Sequence, residues 1–397
     1  MAGGTVSAEV AIVGGGIVGC AAARELARDH DVVILERDAV AGGATGRASG
    51  LVSIVQDYDD QPALARYAVD FFREYDGTGD FRLTPRPSVG LVTAGEEADE
   101  RARARRLADA GFDVSFREPA ALAADYPDAF HLDDFVGAVE SREAGWVDPH
   151  TLAVTYRDEA LAAGARVETG VTVESLLVED GAVVGVDTTA GRVTADHVVV
   201  AAGWRTRDLV APYLELPTRP FRYQTLNLDP GRPLGGDVPI AWEHEHYLYW
   251  RPEHNGDLHV GGGTYFVDEP GDVREGVTEE FRRLVADVIP RRVPGLEQAR
   301  VKSGATCPTG DAATPDGYPI VDAPADGPAG LVVATGMHGF GIMASPVAGR
   351  AVRALVAADP APFPMGPLAL SRFADRSVNF ESEYIVETPA AIPTPQG

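Results

Sequence analysis

The sequence holds a single lysine, Lys302, and only two cysteines, Cys20 and Cys307, in 397 residues. Two cysteines supply neither a disulfide framework nor the paired spacing of a metal site, so no metal is expected. No apolar run approaches the roughly 20 residues that a membrane-spanning helix needs. The N-terminal Met1-Ala2-Gly3-Gly4-Thr5 lacks the basic segment of a secretory leader, which points to a cytoplasmic protein. Positive charge is scarce throughout: 34 basic residues face 60 acidic ones, for a formal net charge of −26. Such a surface repels a phosphate backbone and excludes nucleic acid as a partner. The acidic residues are spread through the chain rather than gathered in a tail, so they read as a solvated coat.

What the sequence does contain begins at once. The apolar run Glu9-Val10-Ala11-Ile12-Val13 feeds Gly14, Gly16 and Gly19, then a helical pattern, then Val32-Val33-Ile34-Leu35 ending on Glu36. This is the spacing of a dinucleotide-binding βαβ unit. Gly14 allows the tight strand-to-helix turn, Gly16 lets backbone approach a pyrophosphate, and Gly19 lets the helix pack on the sheet. The helix N-terminus, with Ile17 and Val18 in its first turn, turns free N–H groups and a positive dipole end toward the phosphates. Glu36, followed by Arg37, stands where a carboxylate can accept from both ribose hydroxyls.

Downstream, the loop Gly42-Gly43-Ala44-Thr45-Gly46-Arg47-Ala48-Ser49-Gly50 is rich enough in glycine to pass close to a ligand. Helices are expected over 62–75, 98–110 and 151–163, and the arginine run 101–106 reads as a solvated face. Strands are expected over 166–178 and 183–188, followed by the apolar strand 197–202 that stops at Ala202-Gly203-Trp204. From 217 to 263 aromatic and polar residues alternate, which signals antiparallel strands and a different domain. Near the C-terminus a strand at 331–334, the turn 336–346 and a helix at 347–357 form a second glycine-rich ligand site. The last residues, 392–397, carry two prolines and read as a disordered tail.

Together these stations resemble the FAD-dependent oxidoreductases of the D-amino-acid oxidase superfamily, which includes sarcosine and glycine oxidases. The resemblance implies an α/β fold: a discontinuous Rossmann-like FAD-binding domain (1–86, 140–216, 300–368) plus an antiparallel-sheet α+β substrate domain (87–139, 217–299) and a tail (369–397). It implies FAD as cofactor, with Gly14 to Arg37 holding the ADP half and Gly43, Ala44, Thr45, Arg47, Ala48, Ser49 and Gly50 the pyrophosphate and ring. Val173 falls beside adenine, and Ala202, Gly203 and Trp204 beside the ribityl chain. Gly339, Phe340, Gly341, Ile342 and Met343 fall near the flavin pyrimidine end. The implied reaction takes hydride from the carbon next to nitrogen in a small amine or amino acid to flavin N5, with O2 or another acceptor regenerating the cofactor.

The departures from that family pattern matter. Glycine-oxidase-like members carry an Arg-Pro ahead of the Thr314-Pro315-Asp316-Gly317 segment to bind the substrate carboxylate, where this chain has Cys307-Pro308. Sarcosine oxidase has a lysine where this chain places Met343, and its oxygen-activating lysine falls near His259. A carboxylate is then left to Arg222, Arg251 or Arg47, and the missing lysine favours a dehydrogenase. Cys307 is one candidate for a covalent flavin link, the alternative being non-covalent FAD. Tyr247, Tyr249 and Arg251, alternating on one strand, are expected to face the flavin together with His259 and His338. His244 and His246 share a face but lack a convergent third ligand, and Gln224 reads as architectural. A 2-hydroxy-acid or glycerol-3-phosphate dehydrogenase, or a non-catalytic FAD-binding assembly factor, remain as alternatives. The acidic coat itself resembles that of proteins from salt-loving archaea, in which high internal salt screens the self-repulsion; the alternative, a high-GC genome that replaces Lys with Arg, explains the missing lysines but not the acidic excess.

Overall fold

The computed structural model describes residues 6–235, 237–269, 276–306 and 310–392. The chain folds as an α/β protein whose two large sheets are each threaded several times. In the first sheet five strands run parallel, in the spatial order Leu331–Thr335, Gly191–Val200, Val6–Val13, Val32–Glu36 and Arg166–Thr169. Val6–Val13, Val32–Glu36 and Leu331–Thr335 are mostly apolar and buried, as parallel strands covered on both faces must be, whereas the edge strand Arg166–Thr169 has no buried residue. Helices Ile17–Leu26, Pro149–Ala162 and Gly341–Val356 cover one face, sharing a core with Pro62–Tyr75. The antiparallel pair Val173–Glu179 and Ala182–Thr188, with Thr206–Val210, closes the other.

Two expected boundaries shift for identifiable reasons. The stretch 166–178 is two strands, because Gly170 at φ +74° turns the chain between them. The last helix begins at Gly341 rather than 347, so Pro346 lies inside it. Ser345 Oγ donates to the Ile342 carbonyl, the acceptor that the missing proline N–H leaves unfilled.

The second sheet is mostly antiparallel, with Arg219–Asp229 paired to both Leu258–Phe266 and Arg300–Thr306. Ile240–Glu243 joins Ser88–Val92 in parallel, extending the sheet into the chain's first half. Helix Glu279–Arg292 packs against it. The strands Arg300–Thr306 and Asp311–Ala313, placed with the cofactor domain by sequence, pair instead with Arg219–Asp229. Of the expected disordered tail at 392–397 only Ile392 is described, and the chain ahead of it is packed. Val386 bridges to Tyr265, and Ile385 and Ile392 are buried, so 385–392 is packed chain. Residues 393–397 and Cys307 lie outside the described residues. Among the described residues no helix is long and apolar enough to cross a membrane.

Candidate active site

The parallel strands deliver their C-terminal ends to one elongated cavity of about 610 Å³. Gly14, Gly16, Ile17, Val18, Glu36, Arg37, Gly43, Ala44, Thr45, Ala48, Val173, Ala202, Gly203, Trp204, Gly339, Gly341 and Ile342 all line it. The helices beginning at Ile17 and Gly341 start at its wall, and neither carries an acidic residue in its first turn. Their dipole ends therefore favour an anion and an electron-rich ring edge without local competition. Thr45 Oγ accepts from the Ile17 N–H at 3.0 Å, fixing the loop to the helix start. Glu36 holds the turn with both oxygens, accepting from Gly15 N–H at 2.7 Å and Asp38 N–H at 2.8 Å.

The close approach behind this cradle explains two glycines. Gly14 sits at φ +107°, and a Cβ there would stand 2.5 Å from the Ala201 carbonyl oxygen. A Cβ on Gly19 would fall 1.9 Å from the Gly14 carbonyl oxygen. Gly19 thus serves the packing of helix on strand and does not line the cavity. Arg47 does not line it either: exposed, it donates to the Gly42 and Gly43 carbonyls and braces the loop from outside.

A second cavity, of about 540 Å³, meets the first at Ala48, Tyr223, Gly339 and Ile342. Ser49, Gly50, Tyr247, Tyr249, His338, Phe340 and Met343 line it. The expected alternation of Tyr247, Tyr249 and Arg251 is broken, because Tyr247 occupies a turn at φ +52° and the strand begins at Leu248. Tyr249 projects over the second sheet, its ring resting where Gly261 has no side chain; a Cβ there would come 2.0 Å from the ring. Its hydroxyl lies 2.7 Å from Ser49 Oγ.

Arg251 and His259 line neither cavity. Arg251 is buried over the Trp146 ring at 4.2 Å and donates to the Ser49 carbonyl at 3.0 Å. His259 is bonded between Ser49 Oγ at 2.8 Å and Asn227 Oδ1 at 2.7 Å. Burial, reinforced by the Arg251 charge, pushes its imidazole down to about 3. The two side chains act behind the cavity wall, holding Ser49 in place. Arg222 also lies away from both cavities, fully buried and hydrogen bonded with Tyr265. None of the three arginines expected to meet a substrate carboxylate reaches the second cavity.

His338 does reach it, at φ +52°, with its backbone N–H given to the Ala312 carbonyl and its ring stacked at 6.1 Å on Phe340. Burial pushes its imidazole down to about 4. Gln224 is architectural, donating to the Gly263 carbonyl at 2.7 Å and accepting from Thr278 N–H at 2.6 Å. His246 and Glu243 hydrogen bond at 3.2 Å, and Arg292 approaches Glu243 and Glu245 at 3.8 and 3.2 Å, so a guanidinium serves those carboxylates.

Three lining groups escaped sequence reasoning. Asp311 lines the cofactor cavity and accepts from Gly339 N–H at 2.9 Å, at the junction of the two cavities. Tyr223 spans both cavities and donates to the Ala44 carbonyl at 3.0 Å. Arg103, in the run read as a solvated face, lines the second cavity: its Nε binds Asp59 at 3.0 Å, and Nη1 binds Glu100 at 3.1 Å. Only the sequence run Asp57-Tyr58-Asp59-Asp60 signalled that this wall carries charge.

The comparisons with known proteins agree with this geometry. The family model described as FAD dependent oxidoreductase matches residues 9–355. Glycine oxidase from Geobacillus kaustophilus is 27% identical over 382 residues, covering 92% of this chain and 97% of that protein. Its crystal structure superposes with a TM-score of 0.79 at 25% identity, covering 94% of this chain and 100% of the other. The 4-methylaminobutanoate oxidase (formaldehyde-forming) of Paenarthrobacter nicotinovorans is 28% identical over 207 residues, 50% of this chain and 25% of that longer protein. L-proline dehydrogenase from P. horikoshii shares the fold, with a TM-score of 0.83 at 21% identity over 93% of this chain and 98% of the other. The cavity, the two helix starts and the family match converge: the chain belongs to the FAD dependent oxidoreductase (DAO) family of enzymes.

Proposed function

We propose that this enzyme oxidises the C–N bond of a small amine or amino acid in the second cavity, with FAD held non-covalently in the first. One observation carries the reading: the two cavities meet at Ala48, Tyr223, Gly339 and Ile342, so a substrate in one can touch a ring system in the other. Bound FAD supplies the acceptor for the substrate's hydride. The residues around it bind, orient and exclude water. Phe340, Met343 and Tyr249 give the second cavity apolar and aromatic walls against which the reacting carbon can be held. His338, neutral at physiological pH, places a hydrogen-bonding edge there without adding charge. Hydride leaves the carbon, the nitrogen gives up its proton, and water hydrolyses the imine.

The deciding experiment is anaerobic mixing of the flavin-loaded enzyme with a panel of N-methyl, primary and D-amino substrates. Bleaching of the oxidised flavin band by amines is the expected result. Bleaching by 2-hydroxy acids or glycerol 3-phosphate alone would overturn it. We further propose a dehydrogenase that passes electrons to an acceptor other than O2, because the chain's single lysine, Lys302, pairs with Asp257 at 2.8 Å and lines neither cavity. Stoichiometric peroxide under air would refute that. The acidic excess is best read as adaptation to high salt, tested below.

A further inference from the structure

We propose that the substrate is a diamine-type cation: one neutral amine is oxidised beside the cofactor cavity while a second, protonated nitrogen is held by Asp57 in the wall of the second cavity. This rests on the amine-oxidation reading above and names the substrate class for the same site.

The charge inventory of that cavity carries the inference. Among its described lining residues the carboxylates are Asp57, Asp59, Asp60, Glu100, Glu243 and Asp316, against the single permanent cation Arg103. Arg103 is fully used, by Asp59, by Glu100 and by the Gln56 carbonyl. No guanidinium is left for a substrate carboxylate, and an α-amino acid would set its own carboxylate against this wall. Glu243 and Asp316 are met by Arg292 and Arg372. Asp57 differs: it accepts a hydrogen bond from the neutral Ser53 hydroxyl at 2.8 Å, and Arg103, already engaged by Asp59 and Glu100, reaches it only through its charge. Half-buried and beside Asp59, its carboxyl is pushed up to about 6, a cost that a nearby ammonium relieves.

A second observation points the same way. Gln56 also lines this cavity and is only 3% exposed. Its Nε2 donates to the Val139 carbonyl at 3.1 Å, while its Oε1 acceptor has no partner among the described residues. A buried acceptor without a partner, one residue before Asp57 in the same helical turn, calls for a donor, and an ammonium brings three. Tyr318, Tyr384, Trp242 and Tyr247 complete the wall with aromatic rings, which tolerate a cation.

The reaction balances without further parts. The substrate loses hydride from the carbon and a proton from the reacting nitrogen, both electrons leave with the hydride to the flavin, and water cleaves the imine to aldehyde and amine. The distal nitrogen keeps its proton throughout.

The test uses flavin-loaded enzyme and three N-methylamines that differ only at the far end: an N-methyl diamine, the matching N-methyl alkylamine and the matching N-methylamino carboxylate, each at several chain lengths. Anaerobic flavin bleaching by the diamine should half-saturate at about a tenfold lower concentration than by the alkylamine, with the carboxylate weakest. Asp57→Asn should erase the diamine's advantage and Asp57→Glu should restore part of it. The inference is overturned if the carboxylate bleaches at concentrations equal to or below the diamine, or if a well-folded, flavin-loaded Asp57→Asn enzyme keeps the preference. If no amine of any charge bleaches the flavin, the amine-oxidation reading itself fails, which the panel distinguishes.

Discussion

Ser49 Oγ lies 2.8 Å from His259 Nε2, a bond between residues 210 positions apart that ties the glycine-rich loop of the cofactor half to the second sheet. Because Asn227 Oδ1 stands 2.7 Å from the other ring nitrogen, Nδ1 carries the proton and Nε2 accepts from Ser49. The imidazole is therefore neutral and built into the wall. It shapes the loop without offering a base to the substrate.

This arrangement sets a pH dependence. His259 is held at about 3, below its ordinary value of 6.5, so between those values the unfolded chain binds a proton that the folded chain refuses. Stability falls as pH drops through that window, at up to about 1.4 kcal/mol per pH unit from this one group. His259→Asn should make the decline of Tm between pH 6.5 and 5 shallower than in the wild type. An unchanged slope would show that His259 is protonated in the folded state.

At Gly19 the expected effect is categorical. An alanine methyl would fall 1.9 Å from the Gly14 carbonyl oxygen, on backbone that cannot yield without opening the strand–helix junction. Gly19→Ala should purify without flavin or not at all. Gly95→Ala, with nothing within 4 Å of the added methyl, is the matched control and should keep its full flavin absorbance.

Asp311 positions the junction between the cavities. Its carboxylate accepts from Gly339 and Ala312 N–H groups, and burial raises its pKa. Asp311→Ala leaves both donors to find other partners, at about 1–3 kcal/mol for an unsatisfied group. FAD affinity, followed by fluorescence titration of the apoprotein, should weaken by roughly tenfold or more. Unchanged affinity would mean that Gly339 does not need this anchor.

The net charge of −26 predicts a salt requirement. Raising ionic strength from about 0.1 to 1 M shortens the screening length from about 10 to 3 Å and removes most repulsion between exposed carboxylates. Tm should climb steeply over this range in KCl. A flat response would leave the missing lysines as a matter of codon composition alone.

The parts of this protein whose physics is local were legible in its amino acids alone. The turn at Gly14, the helix start at Ile17 and the strand ending on Glu36 are dictated by glycine spacing and apolar runs within some thirty residues, and the late glycine turn before Gly341 obeys the same logic. The second cavity is different in kind. It is assembled from Asp57, Arg103, Tyr249, His338 and Tyr384, whose nearness depends on how two sheets cross, which no window of sequence contains. Arg103 reads as one more exposed charge until Asp59, 44 residues away, is packed against it. Arg251 and His259 read as active-site groups until burial behind Ser49 turns them into its support. Backbone geometry near the cofactor is set by short-range sterics and is legible in order. Charge pairing and burial are set by long-range packing, and only the folded chain decides which side chains meet the substrate.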